Sequence, residues 1–235
     1  MISNIVILGN GNVATHLSEA LLNAGYSVVQ RWARGEALRD ADLYLIAVSD
    51  DAIEEVAALI PDGKPFAHTS GSAELARGGV FYPLQTFSKN IDVDWEHIPI
   101  LIEASDKPLE DMLLSVAHKI STNVHLMNAA NRRQLHLAAV FACNFTNHLW
   151  AVSEDLLSAK GISFDLLKPL IYQTFRKIEN HSPRDVQTGP AIRNDAKTLA
   201  QHRKLLDECK GGVHPPPSHI YDIISKSIQQ HHGSH

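Results

Sequence analysis

Cysteine is almost missing from this chain: two residues, Cys143 and Cys209, among 235. They stand far apart and form no Cys-x-x-Cys pair. That excludes a disulfide framework and a zinc knuckle and suits two idle thiols in a reducing compartment. A basic excess is also missing. Twenty-one Lys and Arg face 26 Asp and Glu, a formal charge of −5, which argues against a general nucleic-acid binder while leaving room for a local basic phosphate pocket. No apolar run is long enough to span a bilayer. The opening MISNIVILGN has neither a basic n-region nor a small-residue cleavage site, so it predicts the first core strand of a cytoplasmic protein, with no membrane partner. The 14 histidines are scattered; only the tail QQHHGSH clusters them, and it is read as a fraying end. No ligand spacing of the His-x-x-Glu-His kind appears, so no metal is expected.

What the chain does have is an ordinary globular balance, 44% hydrophobic and 20% charged, and a pattern that changes partway along. Ile5–Leu8, Tyr26–Trp32 and Leu43–Val48 are strand-like, the last apolar on both faces, as the inside of a parallel sheet requires. Asn12–Asn23 has helical apolar spacing and stops at Gly25, a suitable C-terminal glycine. Asp50 or Asp51 is expected to cap a helix running to Ile60. Further strands are read in PFAHTSGS, GVFYPL, IPILIEAS and NVHLM, and a helix over Leu109–Ile120. From about Asn128 the alternation ends and helices follow over Arg132–Ala159, Phe164–Asn180, Pro190–Cys209 and His219–Gln230. The expectation is an α/β domain over 1–127, a mostly parallel Rossmann-like sheet with helices on both faces, followed by an all-α domain over 128–235.

The stretch Gly9-Asn10-Gly11-Asn12-Val13-Ala14 matches G-x-G-x-x-G/A between a strand and a helix. Gly9 permits the tight turn, Gly11 lets a pyrophosphate approach the backbone, and Ala14 lets the helix pack on the sheet, while the helix N-terminus offers free N–H groups. The second strand ends without Asp or Glu and carries Arg31 and Arg34 instead. A guanidinium suits a 2′-phosphate, so NADP(H) is preferred over NAD(H). Val48, Ser49, Thr69 and Ser70, at the ends of later strands, are further cofactor candidates. His68 is read either as a proton donor to substrate or as a loop hydrogen-bonder. Gln85 of YPLQTF is a substrate candidate.

RRQLHLAAVFACNFTNHLWAVSEDLL is apolar nearly all round, as in a buried or interfacial helix. His136 and Asn147 fall about 20° apart on its wheel. With Asn144 they either bond to neighbouring helices or face a polar cavity at the domain junction. In TGPAIRND, Pro190 suits a first helical position. Arg193 there invites an anion or carboxylate, and Asp195 either binds substrate or complements the helix dipole.

GNGNVATHL, HTSGS, FYPLQTFS, HLAAVFACNFTNHL and TGPAIRND together resemble, over nearly the whole chain, the two-domain proteins that join a Rossmann-like domain to domain of unknown function 2520. More distantly the chain is similar to pyrroline-5-carboxylate reductase and to the 6-phosphogluconate and β-hydroxyacid dehydrogenases. The resemblance implies an NADP-dependent oxidoreductase, dimeric through the long helix 132–159. The catalytic lysine that β-hydroxyacid dehydrogenases carry before an asparagine of that helix has no counterpart; Phe141 stands about there. The SGSGPAY run of pyrroline-5-carboxylate reductase is missing too, so neither substrate transfers. Two functions follow as expectations: hydride transfer to or from a small carbonyl or imine at the domain junction, with His68 or His136 as acid and Asn144 and Asn147 orienting the substrate, or NADP(H) sensing without turnover.

Overall fold

The computed structural model describes residues 2–26, 28–33, 35–208 and 216–232. They fall into two compact units, Met1–Cys143 and Asn144–His235.

The first unit is built on β1 (Asn4–Leu8), whose alternate side chains go to opposite faces. Ile5 and Ile7 join a core with Leu17 and Leu21 of α1 (Asn12–Asn23) and Leu113 and Val116 of α3 (Lys107–Ala117). Val6 and Leu8 join a second core with Ile53 and Val56 of α2 (Ile53–Ala57). The same division in β3 (Leu43–Ile46) explains its unbroken apolar run: both faces are covered by helices. With β2 (Val28–Trp32), β4 (Phe66–His68), β5 (Gly79–Pro83), β6 (Ile100–Ala104) and β7 (Val124–Leu126) these strands form one sheet in the order β2-β1-β3-β4-β5-β6-β7. All neighbours are parallel except β5 and β6, which pair antiparallel with Tyr82 opposite Leu101. Strand order reverses at β1, between β2 and β3, and a ligand crevice belongs at the carboxyl ends of strands flanking such a point.

Local chemistry sets the helix ends. Gly25 takes φ +87° and its N–H bonds Leu22 O at 3.0 Å, closing α1 as expected. The expected helix from Asp50 or Asp51 to Ile60 is shorter. Both aspartates lie in a 3₁₀ turn, Asp50–Ala52, with Ser49 ahead of it, and α2 stops at Ala57. α3 begins at Lys107 rather than Leu109, because the Asp106 carboxylate accepts the Leu109 N–H at 2.9 Å. α4 (Ala129–Ala139) opens on Asn128, whose side chain accepts the Asn131 N–H at 2.9 Å. α4 therefore lies in the first unit, past the boundary expected at 127.

A six-residue π turn, Val140–Phe145, follows α4 and leads into α5 (Thr146–Ser158). The second unit holds α5, α6 (Lys168–Ile178), α7 (Ala196–Glu208) and α8 (Pro217–His232). α8 takes in Gln229–His232, so that part of the tail is helical rather than frayed. α7 and α8 are clasped by Arg203 Nε donating to Asp222 Oδ1 at 2.6 Å and by His202 Nδ1 meeting Tyr221 Oη at 2.9 Å. The long helix was expected to be buried in a core or an oligomer interface; within one chain no residue of α5 is buried, and none of α6 or α7 is. Trp150, Leu170, Tyr172 and Phe175 are all exposed. Among the described residues no helix is long and apolar enough to cross a membrane, and no group of three or more His, Cys, Asp or Glu is placed to hold a metal.

Candidate functional site

The two glycines of the first turn do different work. Gly9 takes φ +143°, and a Cβ built there would lie 2.1 Å from Ala47 O. Its N–H bonds Trp32 O at 2.9 Å, while Ala47 N–H bonds Leu8 O at 2.7 Å. Gly9 thus closes β1 against both neighbouring strands. Gly11 has φ −84° and ψ −172°, an extended conformation open to other residues, and a Cβ there would meet nothing within 4 Å. Open space lies over the start of α1. That start has no side-chain cap and no acid in its first turn, so its leading N–H groups and positive dipole end are uncompensated. Asn10 and Asn12 are exposed, Val13 is half-buried and Ala14 is fully buried under the sheet. Asn12 Nδ2 donates to Phe87 O at 3.0 Å and His16 Nε2 meets Ser88 O at 2.9 Å, tying the FYPLQTFS loop to α1. This geometry fits a pyrophosphate: a glycine without obstruction, free main-chain donors, and no competing carboxylate.

Other expected cofactor contacts turn inward. Thr69 Oγ1 donates to Ile46 O at 3.1 Å, and Ser70 Oγ accepts the N–H groups of Ser72 and Ala73 at 3.1 and 3.0 Å. Both hydroxyls organise the strand end instead of facing a ligand. Ser49 is exposed and Val48 half-buried. Arg31 lies in β2 opposite Ile7; its side chain and the whole of Arg34 fall outside the described residues. Glu36, passed over in the sequence, has its carboxylate on the Ala33 N–H at 3.1 Å, so the acid nearest the end of β2 is engaged locally. Gln85 is exposed, with Oε1 accepting the Thr86 N–H at 2.7 Å.

His68 is 1% exposed. The Ser70 N–H donates to its Nδ1 at 3.2 Å, which leaves the ring proton on Nε2. Burial, aided by the Arg132 charge, pushes its pKa down to about 4. The expectation that it donates a proton from a near-neutral pKa is therefore corrected: the ring is neutral at physiological pH. The unfolded chain binds this proton below about 6.5 and the folded one only below about 4. Stability should therefore be full above pH 6.5 and fall by about 3 kcal/mol as pH drops to 4. Urea denaturation of wild type and His68→Gln across this range checks it. The variant should lose less stability than wild type as pH falls, and parallel curves would contradict the assignment.

Sequence reading missed the residue that holds this region together. Arg132 is 1% exposed. Its guanidinium donates to Ser70 O, Gly71 O and Ala73 O at 3.3, 3.2 and 2.9 Å, and to Glu103 Oε2 at 3.1 Å. Glu103 also accepts the Ala129 N–H at 3.0 Å. One turn on, His136 Nδ1 lies 2.9 Å from Tyr82 Oη. Gly71 packs against this pair so closely that a Cβ there would be 2.6 Å from Nδ1 and 2.8 Å from Tyr82 Cζ. Burial raises the Tyr82 pKa to about 12, with Asp50 adding to the rise and Arg132 opposing it. The only sequence clue to Arg132 was its i, i+4 spacing to His136 on an apolar helix.

The remaining candidates lie in the second unit. Asn144 and Asn147 are exposed rather than buried. Arg193 is exposed, in a turn. The helix expected from Pro190 begins at Ala196, because Asn194 takes φ +51° and Asp195 caps α7. Asp195 accepts the Thr198 N–H at 3.0 Å and its hydroxyl at 2.7 Å, and these bonds hold its carboxyl below the usual range.

Residues 98–228 match the domain of unknown function DUF2520. No curated protein shows significant sequence similarity. Among solved structures, a candidate NADP oxidoreductase of Bacteroides fragilis is 34% identical, with 97% of this chain and 98% of that one covered and a TM-score of 0.88. A reductive aminase of Aspergillus terreus, bound to NADPH and ethyl levulinate, is 14% identical, with coverage of 100% and 96% and a TM-score of 0.71. A variant imine reductase of Myxococcus stipitatus, bound to NAD+, is 16% identical, with coverage of 99% and 95% and a TM-score of 0.61.

Proposed function

Since this chain belongs to the DUF2520 family, whose activity its name leaves blank, we propose that it is an NADP(H)-dependent oxidoreductase acting on a small carbonyl or imine. The observation that carries this is the open face at Gly11 over an uncapped, acid-free helix start. The names of the Bacteroides, Aspergillus and Myxococcus proteins support the same chemistry. Main-chain N–H groups at the start of α1 would hold the pyrophosphate, with Arg34, aided by Arg31, on the 2′-phosphate. The bound cofactor supplies a hydride. The proton comes from His136, because His68 is neutral at working pH. Asn144 and Asn147, Gln85, Arg193 and Asp195 keep no assigned step in this proposal.

Calorimetric titration with NADPH and NADH tests the cofactor. Wild type should bind NADPH several-fold tighter, and Arg34→Ala should abolish the preference. Equal affinities, untouched by the substitution, would overturn the 2′-phosphate assignment. The second reading, a sensor without turnover, draws on Phe141 standing where related dehydrogenases carry lysine. Tight NADPH binding with no oxidation against a broad panel of carbonyls and imines would favour it.

We further propose that the protein works as a cytoplasmic homodimer. Three helices without one buried residue, α5 to α7, carry apolar side chains that a second copy would cover. Sedimentation should give twice the 25.9 kDa chain mass; a monomer at micromolar concentration would contradict this.

A further inference from the structure

His136 has two ring nitrogens, and the structure treats them unequally. Nδ1 is engaged by Tyr82 Oη at 2.9 Å and walled in by Gly71. The two rings meet edge to face at 5.9 Å. The wall is fixed, because the Gly71 carbonyl is bonded by Arg132, which sits one turn earlier on α4 and is 1% exposed. Among the described residues no hydrogen bond is made by Nε2, and the ring as a whole is half-buried.

We infer that Tyr82 is a positioning residue that keeps a proton on Nε2 of His136 in both charge states of the resting ring that meets substrate, so that the site takes a neutral carbonyl in preference to a cationic iminium. This rests on the oxidoreductase reading above. In the neutral ring the Tyr82 hydroxyl donates to Nδ1, since an imidazole nitrogen is a stronger acceptor than a phenol oxygen, and the ring proton is left on Nε2. In the charged ring Nδ1–H donates to Oη, which accepts as readily as it donates, and Nε2 still carries its proton. When substrate binds, Nε2 therefore offers a proton and no lone pair. A carbonyl oxygen accepts from it; an iminium N–H or N-alkyl cation has nothing to accept with and is repelled by the charged ring.

Hydride from NADPH forms the new C–H bond and the C=O π pair moves to oxygen. The Nε2–H bond of the charged ring breaks and its proton goes to that oxygen, giving an alcohol. The ring is left transiently neutral with its proton on Nδ1, held by Oη, until a proton from water returns to Nε2 before the next substrate binds. The charged groups that act on the Tyr82 hydroxyl are Arg132, on the same helix as His136, and Asp50 after β3. Among the described residues no carboxylate is bonded to His136 to hold a cation.

The test joins a spectroscopic and a kinetic measurement on the full chain with NADPH or NADP+. In ¹⁵N imidazole spectra, with His136 identified through His136→Asn, the neutral ring should carry its proton on Nε2. Nδ1 should show the shift of a hydrogen-bond acceptor and lose that shift in Tyr82→Phe. In steady-state assays a small cyclic ketone should exceed the N-methyl iminium ion of matching ring size by at least tenfold in kcat/KM. Tyr82→Phe should lower kcat for the ketone about tenfold and leave the KM for NADPH unchanged. A proton on Nδ1 in the wild-type neutral ring, or a preference for the iminium, overturns the inference. If neither compound is reduced, the oxidoreductase reading and the substrate preference fall together, and the spectra alone decide the role of Tyr82.

Discussion

Gly11→Val should weaken NADPH binding by at least 100-fold while leaving the protein folded. A branched side chain at residue 11 would occupy the open space over the first turn of α1, where a Cβ meets no protein atom within 4 Å. A 100-fold loss corresponds to about 2.7 kcal/mol. The backbone there is extended, with φ −84°, so valine adopts it without strain. The folding penalty reduces to a poorer residue at the N-cap, about 0.5–1 kcal/mol, or a melting shift of no more than ~4 °C. Gly9→Ala makes the contrast. Its Cβ would lie 2.1 Å from Ala47 O at φ +143°. Overpacking and backbone strain together cost roughly 3–4 kcal/mol. Thermal melts and NADPH titrations of the two variants should therefore separate one glycine needed for the fold from one needed for the ligand. A Gly11→Val protein that binds NADPH as wild type does would remove the pyrophosphate from this turn.

Arg132→Met should destabilise the first unit by about 3–5 kcal/mol. The loss is large because methionine fills the volume but strands Glu103 and three loop carbonyls that the guanidinium served. Lysine would not rescue it, since one ammonium cannot span donors aimed at four acceptors. Glu103→Leu in the Arg132→Met background should recover part of the loss by removing the stranded carboxylate, the signature of coupling in a double-mutant cycle. The melting temperature should drop by roughly 6–20 °C for the single change. A drop under 2 °C would mean that these bonds contribute little. The same substitution frees Gly71, so the contact between His136 and Tyr82 should loosen with it.

Much of this is written in local patterns. Ile5–Leu8 and Leu43–Ile46 are apolar throughout because two helical layers cover them, and that pattern identifies a parallel sheet directly. The glycine spacing at residues 9 and 11, and Gly25 at the end of α1, follow from backbone geometry that few other residues allow. What escaped depended on distant chain. An arginine in an apolar helix gives no sign that carbonyls some 60 residues earlier will surround it. His68 was open to two readings, proton donor or loop hydrogen-bonder; its ring bonds the Ser70 N–H, and the burial that keeps it neutral is imposed only by the folded sheet. Asn144 and Asn147 were expected to bond neighbouring helices or to face a polar cavity because their helix is apolar all round, yet they are exposed within one chain. Asp195 could be read either way, and its bonds to Thr198 make it a helix cap.

On the proposed function, main-chain amides at the start of α1 bind a dinucleotide diphosphate. Amide hydrogen exchange with and without saturating NADPH addresses it most directly, with Gly11→Val as the control. NADPH should slow exchange most strongly in the peptide covering Gly9 to Thr15, and the control should lose this protection. Saturable NADPH binding that leaves those amides exchanging at their unliganded rate would contradict it.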